Sequence, residues 1–202
     1  MAFKILAING AYRRGGMIDQ AVEAACAAAR AAGAETETAL LAGEQIEFCL
    51  NCRACTQEPG AARGECVQKD GMAALLARAD AADALIIAAP VNFFNVNALT
   101  RRFMERLTPG AYWPWGSAAP KMRAKPYKKA ALITSCAMPA LAGRLATGAL
   151  RALKAAAEGL GARPAGTLFI GLAALEERPR LSAWDRRIAE RLGGRLAAGA
   201  GR

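Results

Sequence analysis

The feature that most constrains the fold of this chain is an alternation of short, uninterrupted apolar segments with longer segments of helical character. FKILAIN and DALIIAA are apolar for most of their length and end at Gly10 and Pro90, as strands buried on both faces do. Ala-rich segments between such runs favour helices. The predicted strands are Phe3–Asn9, Glu35–Leu41, Asp83–Ala89, Lys129–Thr134 and Thr167–Gly171. The predicted helices are Ile18–Ala32, Gly71–Ala79, Val96–Leu107, Leu141–Leu160 and Ser182–Leu196.

This pattern predicts an α/β fold in which a parallel sheet is covered by helices on both faces. Five strands are most simply ordered 2-1-3-4-5, the flavodoxin-like doubly wound arrangement. The 202 residues suit a single domain, residues 1–202, with a cysteine-rich loop inserted at about residues 47–70. Ligands of such sheets bind at the carboxyl ends of the strands, beside the point where the strand order reverses.

Composition excludes several classes of protein. No apolar run approaches the roughly 20 residues that span a bilayer, and the apolar run near the N-terminus is too short for a signal peptide. We therefore expect a cytoplasmic protein without a membrane span, whose six cysteines are reduced. Histidine is absent, which excludes a Ser-His-Asp triad, a Cys-His nucleophile pair and a His-ligated zinc ion.

The net charge of +10 raises the question of nucleic acid binding. The Lys and Arg residues, however, are spread along the chain, and their densest groups, at residues 121–129 and 178–195, carry no nucleic-acid-binding signature. A solvated basic surface accounts for the charge, and it also favours anionic cofactors and acidic partner proteins. We expect no nucleic acid partner.

Four cysteines in the segment CLNCRACTQEPGAARGEC are spaced C-x2-C-x2-C-x10-C. Thiolates are soft metal ligands, and this spacing is close to iron–sulfur ligation patterns. Structural zinc sites usually have two separated C-x2-C pairs, so zinc fits the spacing less well. Four reduced thiols without a metal are the third interpretation. The candidate ligands are Cys49, Cys52, Cys55 and Cys66.

Three loops converge at the carboxyl edge of the predicted sheet. The first, Gly10–Ile18, is rich in glycine and arginine, and its backbone N–H groups and the helix that follows can bind an anion. The second, Ala89–Asn97, carries asparagines that can hydrogen-bond and phenylalanines that can flank a flat ring. The third, Thr134–Pro139, is small and polar. Each loop alone has an ordinary explanation as a turn or helix cap, and their shared position is the stronger sign of a ligand site.

These motifs together resemble a known family. The segments GAYRRGG, CLNCRACTQEPGAARGECVQKDGM and DALIIAAPVNFFNVNALTRRFMERL are similar, in this order, to the NADPH-dependent FMN reductase and iron–sulfur flavoprotein branch of the flavodoxin-like superfamily. The resemblance implies a bound FMN, with its phosphate in the first loop and its ring between the second and third. It also implies hydride transfer from NAD(P)H and, in the cluster-bearing branch, one [4Fe-4S] cluster on the cysteine motif. The residues that the resemblance assigns to FMN are Gly10, Ala11, Tyr12, Arg13, Arg14, Gly16, Met17, Ile18, Pro90, Val91, Asn92, Phe93, Phe94, Asn95, Thr134, Ser135 and Cys136.

The sequence departs from the family pattern at the phosphate loop. Ala11, Met17 and Ile18 stand where the family usually carries Ser, Asn and Ser or Thr. Each side-chain hydrogen bond lost to the phosphate is worth about 1 kcal/mol or somewhat more. Asn92 replaces the usual tyrosine after Pro-Val, and the ten-residue gap before Cys66 is longer than the family's.

The sequence therefore predicts an FMN-dependent oxidoreductase that passes electrons from NAD(P)H or a reduced protein to a flavin, quinone or iron–sulfur acceptor. The chemistry lies on the flavin, so no catalytic side chain is assigned. A small-molecule acceptor or a ferredoxin-like protein is the expected partner, and the resemblance favours a homodimer or homotetramer. The alternative is a non-enzymatic module of the same fold whose four cysteines hold zinc or keep the positions of a lost site.

The segment Tyr112–Trp115 places two tryptophans in a loop rich in proline and glycine. Three interpretations stand for it: a cap over the flavin, a contact at a subunit interface, or a local apolar plug.

Overall fold

The computed structural model describes residues 2–123 and 125–198. The strands, in chain order, are β1 (Lys4–Asn9), β2 (Glu35–Leu40), β3 (Ala84–Asn92), β4 (Asn95–Val96), β5 (Ala111–Tyr112), β6 (Lys121–Met122), β7 (Lys128–Ser135) and β8 (Ala162–Ile170). The α-helices are α1 (Met17–Ala31), α2 (Gly71–Ala81), α3 (Ala98–Glu105), α4 (Ala140–Ala146), α5 (Ala149–Gly159) and α6 (Ala183–Ala197). Short 3-10 helices lie at Ala54–Thr56 and Thr108–Gly110.

The central sheet has its five long strands in the order β2-β1-β3-β7-β8, and all four pairings between them are parallel. This confirms the predicted α/β fold and the predicted order of the five main strands. Three shorter strands were not predicted: β4 pairs with the end of β3 in antiparallel fashion, and β5 and β6 form a separate two-stranded ribbon. The strand order reverses between β1 and β3, which puts a crevice above their carboxyl ends.

The sheet is buried on both faces because successive residues of a strand point to opposite sides. In β3, Leu85 and Ile87 pack into one apolar cluster with residues of α2, α3 and α5. Ile86 and Ala88 face the other side, where α1 and α6 cover the sheet. The continuous apolar character of the central strands is therefore explained by two cores rather than one.

The predicted helix Leu141–Leu160 is wrong as a single element, because the chain forms α4 and α5 with a break at Thr147 and Gly148. A tertiary contact accounts for the break. The Gly148 N–H donates a 2.9 Å hydrogen bond to the Phe94 carbonyl, and a Cβ at Gly148 would lie 2.9 Å from Asn95 Nδ2. Helix propensity favoured continuity here, and the close approach of the β3–β4 turn overrides it.

The predicted start of a helix at Val96 is also corrected. Val96 belongs to β4, and α3 begins after Asn97, whose side chain accepts a hydrogen bond from the Thr100 N–H as an N-cap. Among the residues described, no helix is long and apolar enough to cross a bilayer.

Candidate functional site

A cavity of about 370 Å³ lies above the crevice between β1 and β3. All three loops that the sequence predicted to converge contribute to its walls. The predicted residues that line it are Ala11, Tyr12, Arg13, Gly16, Met17, Ile18, Pro90, Val91, Asn92, Ser135 and Cys136. Parallel topology explains this convergence, because the carboxyl ends of neighbouring strands meet at one edge of the sheet.

The loop between β1 and α1 is fixed by hydrogen bonds from its own ends. Asn9, at the end of β1, accepts from the Ala11 N–H through Oδ1 (2.9 Å) and donates through Nδ2 to Asp19 (3.0 Å). Gly10 packs so closely on Thr100 that a Cβ would lie 2.1 Å from the hydroxyl oxygen. Gly16, the N-cap residue of α1, makes no side-chain hydrogen bond to the first N–H groups of the helix, and it lines the cavity with Met17 and Ile18. This helix end suits an anionic group.

The second loop carries an unusual backbone. Phe93 and Phe94 form the two-residue turn between β3 and β4, with φ angles of 50° and 63°. Both values lie in the left-handed region, which costs about 1–2 kcal/mol for each residue with a Cβ. The turn points both phenylalanines outward, and Phe93 is 99% exposed. Pro90, Val91 and Asn92, which precede the turn, line the cavity instead.

The third loop contributes Ser135 and Cys136 at the end of β7. The Cys136 thiol donates to the Met138 carbonyl (3.2 Å). Burial raises the pKa of the Cys136 thiol, against a smaller lowering by its hydrogen bond, so at neutral pH it is a neutral wall of the cavity rather than a nucleophile.

Six of the predicted flavin residues do not line the cavity. Some of them hold the neighbouring cavity-lining residues in place. Thr134 is buried and donates to the Ala89 carbonyl (2.8 Å), which ties β7 to β3 at this edge. Arg14 lines a neighbouring depression with Asp19. The six are Gly10, Arg14, Phe93, Phe94, Asn95 and Thr134. Their role in cofactor binding stays a prediction.

The sequence reasoning missed a fourth loop. Ala173, Ala174 and Pro179, in the connection from β8 to α6, close the cavity on its remaining side. Arg13 Nη2 donates to the carbonyl of Glu177 in this connection (2.6 Å), and Gln20 Nε2 donates to that of Pro179 (2.8 Å). A signal was present in the sequence, because this connection follows the carboxyl end of the fifth predicted strand.

Each wall of the cavity suits the part of FMN that it would contact. Its aliphatic surfaces at Pro90, Val91 and Cys136 suit a flat aromatic ring, and the open N-terminus of α1 suits a phosphate.

The four predicted metal ligands lie in the connection between β2 and α2. Among the described residues, no three His, Cys, Asp or Glu side chains are close enough together to hold a metal ion. Burial, and then the proximity of Cys66, Cys49 and Cys52, raises the pKa of the Cys55 thiol. Cysteine sulfurs are suitable ligands for an iron–sulfur cluster, and the loop would have to bring the four sulfurs together to bind one. The cysteine site stays a prediction.

The two ends of the cysteine loop meet at a buried ion pair. Arg106 Nη1 lies 2.6 Å from Asp70 Oδ2, with the two side chains 2% and 9% exposed. The same guanidinium donates to the Glu47 carbonyl (2.8 Å) and to the Cys66 sulfur (3.6 Å). The Glu47 N–H in turn donates to Asp70 (2.7 Å). One charged pair therefore anchors both the entry and the exit of the loop.

The tryptophan segment packs against the cysteine loop, away from the flavin loops. The Arg53 guanidinium lies between the rings of Trp113 and Trp115, 4.0 and 4.2 Å from their centroids. Arg53 Nη2 also donates to the Trp113 carbonyl (2.6 Å). The Trp113 N–H donates to the Thr56 carbonyl (2.9 Å). Stacked cation–π contacts of this kind hold the two segments together.

Comparison with known families agrees with this geometry. The model of the family described as NADPH-dependent FMN reductase matches residues 3–176. The chain belongs to this family. Its matched region includes the β1–α1 loop, the cysteine loop and the β3–β4 turn.

Sequence identity between this NADPH-dependent FMN reductase family member and individual relatives is modest. An iron–sulfur flavoprotein of Archaeoglobus fulgidus is 32% identical over 111 residues, which cover 55% of this chain and 48% of that protein. The chain thus spans about half the length of the curated relatives it matches. An FMN-dependent NADH-azoreductase of Bacillus anthracis in complex with FMN has a similar fold, with a TM-score of 0.70, 13% identity and coverage of 96% and 99%. A flavodoxin from the domain Archaea gives 0.58 at 10% identity, covering 99% of this chain and 100% of its own.

Proposed function

We propose that this chain binds FMN in the cavity above β1 and β3 and passes electrons from NAD(P)H to a small acceptor such as a flavin or a quinone. The observation that carries the proposal is the single cavity in which the loops after β1, β3, β7 and β8 meet the open N-terminus of α1. Membership of the NADPH-dependent FMN reductase family supports the same reaction class.

Different residues of the cavity would contact different parts of the cofactor. Met17 and Ile18 begin α1 and line the cavity, and their N–H groups would bind the phosphate. Pro90 and Val91 offer an apolar surface to the ring, and Ser135 bounds its other side. FMN, when bound, supplies hydride acceptance and electron release, while the protein orients it and limits the access of water.

Blocking the cavity is expected to abolish flavin binding without unfolding the protein. Ala137 is exposed and lines the cavity, whereas Ala142 is exposed on α4 and does not. In titrations followed by flavin fluorescence, A137W should weaken FMN binding by at least about 10-fold, or about 1.4 kcal/mol. NADPH oxidation with added FMN and a quinone should fall in parallel, and A142W should match the wild type. Equal behaviour of the two variants, or no flavin uptake by the wild type, would refute the proposal.

We further propose that Cys49, Cys52, Cys55 and Cys66 hold a [4Fe-4S] cluster and that a ferredoxin-like protein exchanges electrons with it. Two contacts support sulfur ligation: the Asn51 N–H donates to the Cys49 sulfur (3.4 Å) and Arg106 donates to the Cys66 sulfur (3.6 Å). Hydrogen bonds to the ligating sulfurs are one of the features that set the reduction potential of iron–sulfur clusters in proteins. The sample used for the flavin titration, purified without oxygen, decides this by metal analysis. About four irons per chain support the cluster, and zinc or no metal contradicts it.

A further inference from the structure

The segment between α3 and β7 carries positive charge without a balancing carboxylate of its own. Between Glu105 and Glu158 the chain contains nine Lys and Arg residues and no Asp or Glu, and five of the nine lie at residues 121–129. Two of these five are engaged within the protein: Lys128 is buried and donates to three carbonyls at the end of α2, and Arg123 donates to carbonyls of its own ribbon and of the cysteine loop. The other three are exposed, and in the described part of the chain no salt bridge involves them. They are Lys121, Lys125 and Lys129.

Large exposed side chains accompany these lysines. Trp115, Met122 and Tyr127 are 66%, 50% and 67% exposed, and the last two line one hollow of about 200 Å³. Aromatic and methionine side chains with charged groups at their rim are typical of protein interfaces. We call this face the ribbon surface, because it includes the β5–β6 ribbon. Its residues are Trp115, Lys121, Met122, Lys125, Tyr127 and Lys129.

The carboxylates of neighbouring elements leave the ribbon surface positive. Two of them, Asp80 and Glu158, line the same hollow. Asp80 is paired with Arg63 (2.9 Å), and Glu158 lies 3.8 Å from Lys154. A third, Glu58, is exposed on the cysteine loop beside the tryptophan end of the surface. Three lysines therefore outnumber one carboxylate that has no cation of its own.

The ribbon surface lies beside the cysteine loop. Arg123 Nη2 donates to the Cys55 carbonyl (3.3 Å), and the ring of Trp115 lies 4.2 Å from the Arg53 guanidinium, between Cys52 and Cys55 in the sequence. The hollow is also lined by the ends of α2 and α5, which cover the face of the sheet opposite α1 and α6. A protein bound here would lie next to the four cysteines.

The aromatic rings of this surface suit a protein better than a nucleic acid. Single strands bind by stacking their bases on the faces of exposed rings. One face of each ring is already in use, because Arg53 lies over Trp115 and Lys128 Nζ lies 4.7 Å from the centroid of Tyr127. Carboxylates, in contrast, need only the exposed ammonium groups.

We propose that the ribbon surface docks an acidic protein, whose carboxylates pair with its three lysines around an apolar contact at its tryptophan, methionine and tyrosine. The inference rests on the proposed exchange of electrons with a ferredoxin-like protein and deepens it by naming the surface on which that partner binds. Opposite charges accelerate association and fix the orientation of the partner, so binding weakens as salt screens them.

Titration of the whole chain, purified without oxygen, with a plant-type [2Fe-2S] ferredoxin of net negative charge tests the proposal. Isothermal titration calorimetry measures the dissociation constant. K121E with K125E should weaken binding by at least about 10-fold at about 0.05 M salt, and the difference should shrink at about 0.5 M salt, where charges are strongly screened. R187E with R191E makes the same change in net charge on α6, at the opposite face of the sheet, and should weaken binding by less than about 3-fold.

E58Q provides a change of the opposite sign. It removes the carboxylate beside the tryptophan end of the surface, so ferredoxin should bind about 2-fold to 3-fold more tightly. Binding no tighter than that of the wild type would contradict the charge argument. Circular dichroism and FMN titration of each variant show that the fold is retained.

The remaining outcomes separate the docking surface from the proposed function. Absence of ferredoxin binding to the wild type, or equal weakening by the two charge-reversed pairs, would overturn the docking surface while FMN uptake and iron content stay as proposed. Tighter binding of an oligothymidylate of about 15 nucleotides, lost in K121E with K125E, would overturn it as well and assign the surface to nucleic acid. Ferredoxin binding that depends on these lysines in a chain without FMN or iron would support the docking surface and refute the proposed function.

Discussion

Replacing Asp70 with asparagine is expected to lower the free energy of unfolding by about 3–5 kcal/mol, because it leaves the buried Arg106 guanidinium without its counter-charge. Arg106 is 2% exposed, so water cannot replace the carboxylate. Urea denaturation followed by circular dichroism measures the change. E65Q is the matched control in the same loop, since the Glu65–Lys69 pair is exposed and its loss should leave the free energy of unfolding nearly unchanged. Equal effects of the two substitutions would contradict the anchoring role of Asp70.

The same pair gives the stability a defined dependence on pH. Burial alone would raise the pKa of Asp70, but hydrogen bonds from Arg106 and from the Glu47 and Met72 N–H groups, with the charge of Arg106, lower it. A lowered pKa in the folded state contributes stability that is present above the ordinary aspartate pKa of about 3.9 and is lost as the pH falls below it. D70N should therefore lose less stability than the wild type between about pH 4 and pH 2.

Replacing Asn97 with alanine is expected to destabilise the protein by about 2–4 kcal/mol and to weaken flavin binding with it. Asn97 is 1% exposed, and its amide donates to the Gly10 carbonyl (2.7 Å) while its oxygen accepts from the Thr100 N–H and hydroxyl. The substitution removes the cap of α3 and leaves a buried carbonyl unsatisfied at the start of the β1–α1 loop. Denaturation and FMN titration both report it.

Asn92 provides the comparison for that experiment. It lies at the end of β3 and is exposed, so N92A should change the free energy of unfolding by less than about 0.5 kcal/mol; because Asn92 lines the cavity, the comparison concerns stability alone. If N97A affects stability no more than N92A, the coupling between α3 and the β1–α1 loop is wrong.

The fold could be predicted because its determinants are local. Continuous apolar runs mark β1, β3 and β7, and each begins or ends within a few residues of its predicted bounds. The break between α4 and α5 could not be predicted in the same way. It depends on Gly148 meeting the Phe94 carbonyl and the Asn95 side chain, which are remote in the sequence.

The site was predicted to the extent that topology alone determines it. The loops after β1, β3 and β7 line one cavity because parallel strands end at one edge. The hydrogen-bond and ion-pair partners of the polar side chains could not be predicted from the sequence. Arg13 lines the cavity, and its guanidinium also donates to the Glu177 carbonyl, a partner 164 residues away that the sequence does not reveal. Asp70 and Arg106 both lay in the motifs that carried the family resemblance, and only the folded chain shows that they pair.

The stacking of Arg53 between Trp113 and Trp115 gives the protein an optical reporter of its own cysteine loop. The chain has three tryptophans, and these two lie in contact with a residue between Cys52 and Cys55. Indole emission responds to nearby charge and to electron acceptors. Oxidation of the thiols or uptake of a metal will therefore change the intrinsic fluorescence of the flavin-free protein, without any added dye.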